Sequence, residues 1–154
     1  MPYERIEDIF NKTLIGDDLK NALDFTEFLS ANGMIRKEQH EWHYKNERVC
    51  YMDASYERHT WTVWTSGDYS NEYEDFPIDE RTKEIAWANA GKCGNCDGCD
   101  CKPGKTKMIF GKEFTNICDG AADISIVFCN PNAETLECLK KLLKIKKHII
   151  DNHA

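Results

Sequence analysis

The apolar positions at the start of the chain recur every three to four residues. Tyr3, Ile6, Ile9 and Phe10 predict a helix over 3–12. Gly16 interrupts the pattern, and Asp17 is a good N-cap for a second helix over about 18–31. In that helix Leu19, Ala22, Leu23, Phe25, Phe28 and Leu29 form a wide apolar face that belongs against a core. Asn32-Gly33 supplies the stop. From Met34 the period changes. Glu41–Tyr44 and Arg48–Asp53 read as strands around a Lys45-Asn46-Glu47 turn. Thr60–Thr65 contains only β-branched and aromatic residues and is the clearest strand in the chain. Its alternation sends Trp61 and Val63 to one face, Thr62 and Trp64 to the other. These strands predict an antiparallel meander.

Ser66–Ile78 is acidic, holds Gly67 and Pro77, and reads as a loop long enough to be a lid or binding loop. Asp79 caps a helix over 80–90, which Gly91 ends. Further on, Lys107–Phe110 reads as a strand, Gly111 as a bulge or turn, and Ile124–Phe128 as a strand apolar enough to be central. Asn130-Pro131 predicts a helix start, with Asn130 as N-cap and Pro131 at the first helical position. That last helix runs to about Ile149. Leu136, Leu139, Leu142, Leu143, Ile145 and Ile149 line one face; Lys140, Lys141, Lys144 and Lys147 line a solvated one. Strands and helices do not alternate regularly. The fold class is therefore α+β: a mostly antiparallel sheet, two N-terminal helices, a middle helix and a long C-terminal helix. A strand–strand–helix order occurs twice, at about 41–90 and 107–150, which reads as a weak internal duplication.

Length changes this picture little: 154 residues predict a single domain over 1–154. No apolar run follows the first five residues, and no stretch of about 18 apolar residues occurs. The expectation is a cytoplasmic protein with no membrane partner. Charge is more informative. The net value is −7, split as −9 over residues 1–90 and +2 over 91–154. The acidic first part argues against a nucleic-acid partner.

The densest chemistry is in the loop at about 92–118. Five of the eight cysteines fall there: Cys93, Cys96, Cys99, Cys101 and Cys118. In a reducing compartment such clustering reads as metal-binding or redox-active rather than as disulfides. Cys93-Gly-Asn-Cys96 has turn residues that let two sulfurs reach one ion. Cys101 precedes Pro-Gly, a second turn able to aim amides at sulfur, and Cys118 can return as the fourth ligand. The expectation is a closed, structural tetrathiolate zinc site at Cys93, Cys96, Cys101 and Cys118, with Cys99 as the alternative ligand. Lys92, Lys102, Lys105 and Lys107 flank it and offset its charge. A 4Fe-4S cluster is the competing cofactor, because Cys93, Cys96 and Cys99 match the start of a ferredoxin run. A reactive CxxC is a further alternative, although this one follows a helix and opens a loop. Cys50, Cys129 and Cys138 read as buried small apolar residues. The five histidines, His40, His43, His59, His148 and His153, lack ligand spacing to the cysteines and read as ordinary surface or strand residues.

The CGNC, CKPGK, IFGKEFTNIC and NPNAETLECLKKL segments resemble a family of short bacterial proteins of uncharacterised activity. That family shares a CxxC, a Cys-x-Pro-Gly, an Ile-Phe-Gly-Lys-Glu-Phe and a final Asn-Pro before a C-terminal helix. The resemblance covers about Trp61–Lys146. It implies Cys93, Cys96, Cys101 and Cys118 as the ligand set; Cys99 departs from the shared pattern. No activity comes with it.

Catalytic motifs are missing: there is no GxSxG and no HExxH. The function expected is therefore a non-enzymatic, zinc-stabilised module that binds a small molecule or a protein. Its aromatic binding residues would be Tyr51, Trp61, Trp64, Tyr69, Tyr73 and Trp87. The alternative is a redox or electron-transfer protein built on the cysteine cluster.

Overall fold

A computed structural model describes residues 4–55, 57–65, 78–90, 105–117 and 126–153. The described elements are α1 (Ile6–Thr13), α2 (Gly16–Ala31), β1 (Ile35–Lys37), β2 (Glu41–Tyr44), β3 (Glu47–Ser55), β4 (Thr60–Thr65), α3 (Glu80–Ala88), β5 (Lys105–Ile109), β6 (Lys112–Ile117), β7 (Ile126–Cys129) and α4 (Ala133–His153). The fold is α+β, with a five-stranded antiparallel sheet in the order β1-β2-β3-β4-β7 and a separate β5-β6 hairpin. The chain divides into two compact units, one formed by residues 1–63 with 128–154, the other by 64–127.

In the first unit, α1 and α4 pack against β3, α1 packs against α2, and α2 against α4. This places the helices over one side of the sheet. The side chains turned toward them are apolar and buried: Trp42, Cys50, Met52, Trp61, Val63 and Phe128. Phe10 meets Trp61 edge-on at 5.8 Å, and Phe25 meets it at 6.0 Å. Two helix-spaced aromatics thus converge on one strand residue, which is what the two periodicities require of a two-layer core.

Local signals act as their chemistry dictates. At the end of α2, Gly33 takes φ +76°. Its N–H reaches the Ser30 carbonyl at 3.1 Å, and the Met34 N–H reaches the Leu29 carbonyl at 3.0 Å. This paired pattern is the Schellman stop that Asn32-Gly33 predicts. Lys45 and Asn46, both at positive φ, form a two-residue turn between β2 and β3.

Four expectations change. Asp17 does not cap α2, which starts at Gly16 after Ile15 and places Asp17 in its first turn. Asn130 does not cap α4. The N-cap role falls to Asn132, whose side-chain oxygen accepts the Thr135 N–H at 2.9 Å. Asn130 instead adopts φ +46°, donates its N–H to the Trp61 carbonyl at 2.8 Å, and accepts the Trp61 N–H on its side chain at 2.9 Å. It fastens the end of β7 to β4. Asn130→Ala removes that acceptor and leaves at φ +46° a residue that tolerates the left-handed region less well than asparagine, so it should cost about 2 kcal/mol by urea denaturation. Asn130→Gly, free of the second penalty, should cost less. Next, β7 is the last strand of the sheet rather than a central one; beyond it lies only an isolated bridge from Ala90 to Ile126 among the described residues. Its apolarity comes from Ile126 and Phe128, both fully buried. Finally, β5 and β6 pair with each other while β7 joins β4, so the two strand–strand–helix runs are not paired alike.

The lysines of α4 do more than face water. Lys140 reaches Asp24 at 2.6 Å. The ammonium groups of Lys140 and Lys144 lie 5.7 and 5.9 Å from the Phe28 ring centre, and that of Lys147 lies 5.4 Å from Tyr44. The ammonium groups thus lie against aromatic faces, and that of Lys140, whose side chain is 16% exposed, is also paired with Asp24. Among the described residues no helix is long and apolar enough to cross a membrane.

In the second unit, α3 begins after Asp79, whose carboxylate accepts the Thr82 hydroxyl. Ile85, Ala86 and Ile109 are buried there.

Candidate functional site

Cys93, Cys96, Cys99, Cys101 and Cys118 lie outside the described residues, as do Tyr69 and Tyr73. Among the described residues no three His, Cys, Asp or Glu side chains group to hold a metal ion. Of the other three cysteines, Cys50 and Cys138 are buried and Cys129 is exposed, contrary to the expectation of burial for all three. Cys129 ends β7, where the strand alternation turns it away from the core side that Phe128 occupies. Burial pushes the Cys50 thiol far above its usual range, so it stays protonated and unreactive.

The predicted binding aromatics go to different places. Trp61 is fully buried between Phe10 and Phe25. Its indole N–H has no hydrogen-bond partner among the described residues. Trp64 is half-buried on β4. Trp87, on α3, donates its indole N–H to the Ile109 carbonyl at 2.6 Å, and Lys112 covers the ring at 5.2 Å. That side chain ties the helix to the hairpin of its unit. Tyr51 is half-buried on the sheet side opposite Cys50 and Met52.

Around Tyr51 four polar side chains come together. Glu41 and His43, two apart on β2, point the same way, and His43 Nε2 lies 3.1 Å from Glu41 Oε1. The Tyr51 hydroxyl donates to Glu41 Oε2 at 3.2 Å. An Arg48 Nη1 sits 3.6 Å from Glu41 Oε1, and its guanidinium lies 4.9 Å over the Tyr51 ring. Arg48 and Tyr51 are three apart on β3, so a regular strand would send them to opposite faces. A register shift between Trp42 and His43 prevents this. Trp42 pairs with Cys50 while His43 pairs with Arg48, leaving Val49 as an extra residue. Val49 and Cys50 are accordingly both buried in succession, and Arg48 and Tyr51 emerge on the same side. The bulge assembles the cluster.

Burial pushes the Glu41 carboxyl up, but the hydrogen bonds from His43 and Tyr51, with the Arg48 and His43 charges, outweigh it and hold the group below its ordinary 4.5. A carboxylate can only accept, so His43 Nε2 carries the hydrogen in that contact. This fixes the other ring nitrogen as the atom left over. His43 Nδ1 is shielded from water and has no partner among the described residues. The side chains are only partly exposed: 18% for His43, 21% for Glu41 and 25% for Arg48. A carboxylate that orients an imidazole through one nitrogen leaves the second set to accept a proton, a donor or a metal.

Comparison with protein families, with curated proteins and with solved structures finds no match. The cluster therefore stands on its own geometry. His43 was missed as an ordinary strand histidine, although Glu41-x-His43 on a strand already places both on one face.

Glu41 gives a pH prediction. In the folded state the carboxyl titrates below its ordinary value, so its contribution to stability is present above pH 4.5 and lost as pH falls through the folded value. Glu41→Gln should lower the melting temperature at pH 7. The gap from the wild type should shrink as pH falls below 4.5, checked by thermal melts across pH 3–7.

Proposed function

We propose that this protein is a non-enzymatic binding module whose ligand, a small molecule, docks on the outward sheet face around Tyr51. The observation that carries this reading is the cluster of Glu41, His43, Arg48 and Tyr51, gathered by a β-bulge rather than by regular strand geometry. Bulges recur where a strand must re-aim side chains at a site. An aromatic ring beside a few convergent polar groups is what small-molecule sites use. Half-buried polar groups off the core side do little for folding that apolar residues would not do as well.

Zinc belongs to the same reading. The tetrathiolate set Cys93, Cys96, Cys101 and Cys118 would clamp the loop at 92–118, as the motif resemblance implies, and the protein would work in the cytoplasm. Metal analysis of anaerobically purified protein tests this part. One zinc per chain in a colourless sample is the expected result; visible absorption with iron and sulfide would favour the electron-transfer reading instead. Cys101→Ser should lose the metal and Cys99→Ser keep it; the reverse would exchange the two ligands. The binding part is tested by titrating small-molecule fragments while following Tyr51 and Arg48 resonances. Shifts confined to Phe10, Phe25 and Trp61 would place the site elsewhere.

A further inference from the structure

The strongest unexplained atom in the described residues is His43 Nδ1. It is buried and unpartnered, while Nε2 of the same ring is committed to Glu41 at 3.1 Å. A buried polar atom left unpaired destabilises the fold, because it has given up water and gained no partner. The neighbours keep it that way: Glu41 is engaged by three groups at once, and its carboxylate cannot supply a hydrogen to Nδ1. We infer that His43 Nδ1 is the recognition atom of the site and accepts a hydrogen bond from a neutral, planar ligand carrying an N–H or O–H donor. This rests on the reading of the Tyr51 face as a binding surface.

Two features define the ligand class. The charges of Glu41 and Arg48 offset each other, so the cluster selects by hydrogen bonding and shape rather than by charge. The Arg48 guanidinium lies 4.9 Å from the Tyr51 ring centre, and two planar groups side by side suit an aromatic ring or an amide plane. Aromatic amides, ureas and phenols meet both conditions. Because Nδ1 is shielded, the donor must displace a neighbouring side chain to reach it, so binding should be coupled to a local rearrangement at the bulge.

The test uses the full chain labelled uniformly with 15N, so that the histidine ring nitrogens and the Tyr51 and Arg48 resonances are all read. Benzamide, phenylurea and phenol are titrated beside N,N-dimethylbenzamide and anisole, which keep the ring and lack the donor. The expected result is a shift of His43 Nδ1 with the three donors, at least tenfold weaker binding of the methylated pair, and, on His43→Phe, at least tenfold weaker binding of the three donors read from the Tyr51 and Arg48 resonances. Equal shifts of Tyr51 and Arg48 with donors and non-donors alike, with Nδ1 unmoved, would keep the face as a binding surface and overturn the role of His43. No shift with any probe would overturn both. A water resonance in slow exchange at Nδ1, unmoved by the donors, would also overturn the inference, since the nitrogen would then have its partner already.

Discussion

Trp61→Ala should destabilise the protein by about 3–5 kcal/mol, the range for emptying a large aromatic from a packed core. Trp61 is fully buried and is the common neighbour of Phe10 from α1 and Phe25 from α2. Removing it frees both rings at once, so surrounding atoms cannot close the gap by a single side-chain shift. Its backbone also exchanges two bonds with Asn130, which the substitution leaves in place. The loss is therefore a packing loss, read as a fall in melting temperature of about 2–4 °C per kcal/mol. Trp61→Phe is the informative control. It keeps a ring and deletes an N–H that has no partner, so it should cost less than half as much. Equal costs would mean that the indole N–H is bonded after all.

Excising Trp64–Val127 and joining Val63 to Phe128 through a short Asn-Gly turn should leave a cooperatively folded protein. Residues 1–63 with 128–154 form one compact unit. Within it the chain leaves on β4 and returns on β7, its neighbour in the sheet, so the two ends to be joined lie on adjacent antiparallel strands. A tight turn is the natural closure of such a pair. About 90 residues remain, well above the ~40 below which a chain usually needs a metal or disulfide to fold. All five clustered cysteines leave with the excised segment, so the shortened protein should bind no zinc and yet give dispersed amide resonances and a sigmoidal urea transition. A broad, non-cooperative transition would show that the first unit depends on residues 64–127.

Much of the architecture was legible because it is written in local periods. The apolar spacing of Ile6, Ile9 and Phe10, and of Ala22, Phe25 and Leu29, marked the first two helices, since one face of a helix must be buried. The alternation in Thr60–Thr65 marked β4 and put Trp61 and Trp64 on opposite faces, while the burial of Trp61, expected among the binding aromatics, came only with the packing of Phe10 and Phe25. Residue chemistry also fixed the stop at Gly33. The short β1 was invisible: Ile35 and Lys37 are exposed, so three residues paired only at one edge carry no burial pattern to read.

The candidate site was half legible. Tyr51 was singled out for its aromatic ring, and Glu41 and His43 share a face by simple alternation. Arg48 could not be added from spacing, because three residues separate it from Tyr51. The bulge at Val49 reverses the parity of β3, and a bulge is a property of two strands in register, not of one. The same holds for Asn130. Its sequence context is a helix cap, but the Trp61 peptide, 69 residues away in the chain, offered both a donor and an acceptor and took it instead.

What the residues alone determined is which segments, β1 and β6 apart, are helix or strand and which face of most of them turns inward, since propensity and periodicity are decided within one or two turns of chain. What tertiary structure decided is who stands beside whom: the place of β7 at the end of the sheet, the hold of Asn130 on Trp61, and the four side chains around Tyr51. Pairing partners come from distant parts of the chain, and a one-residue change in register moves a side chain from one face of the sheet to the other.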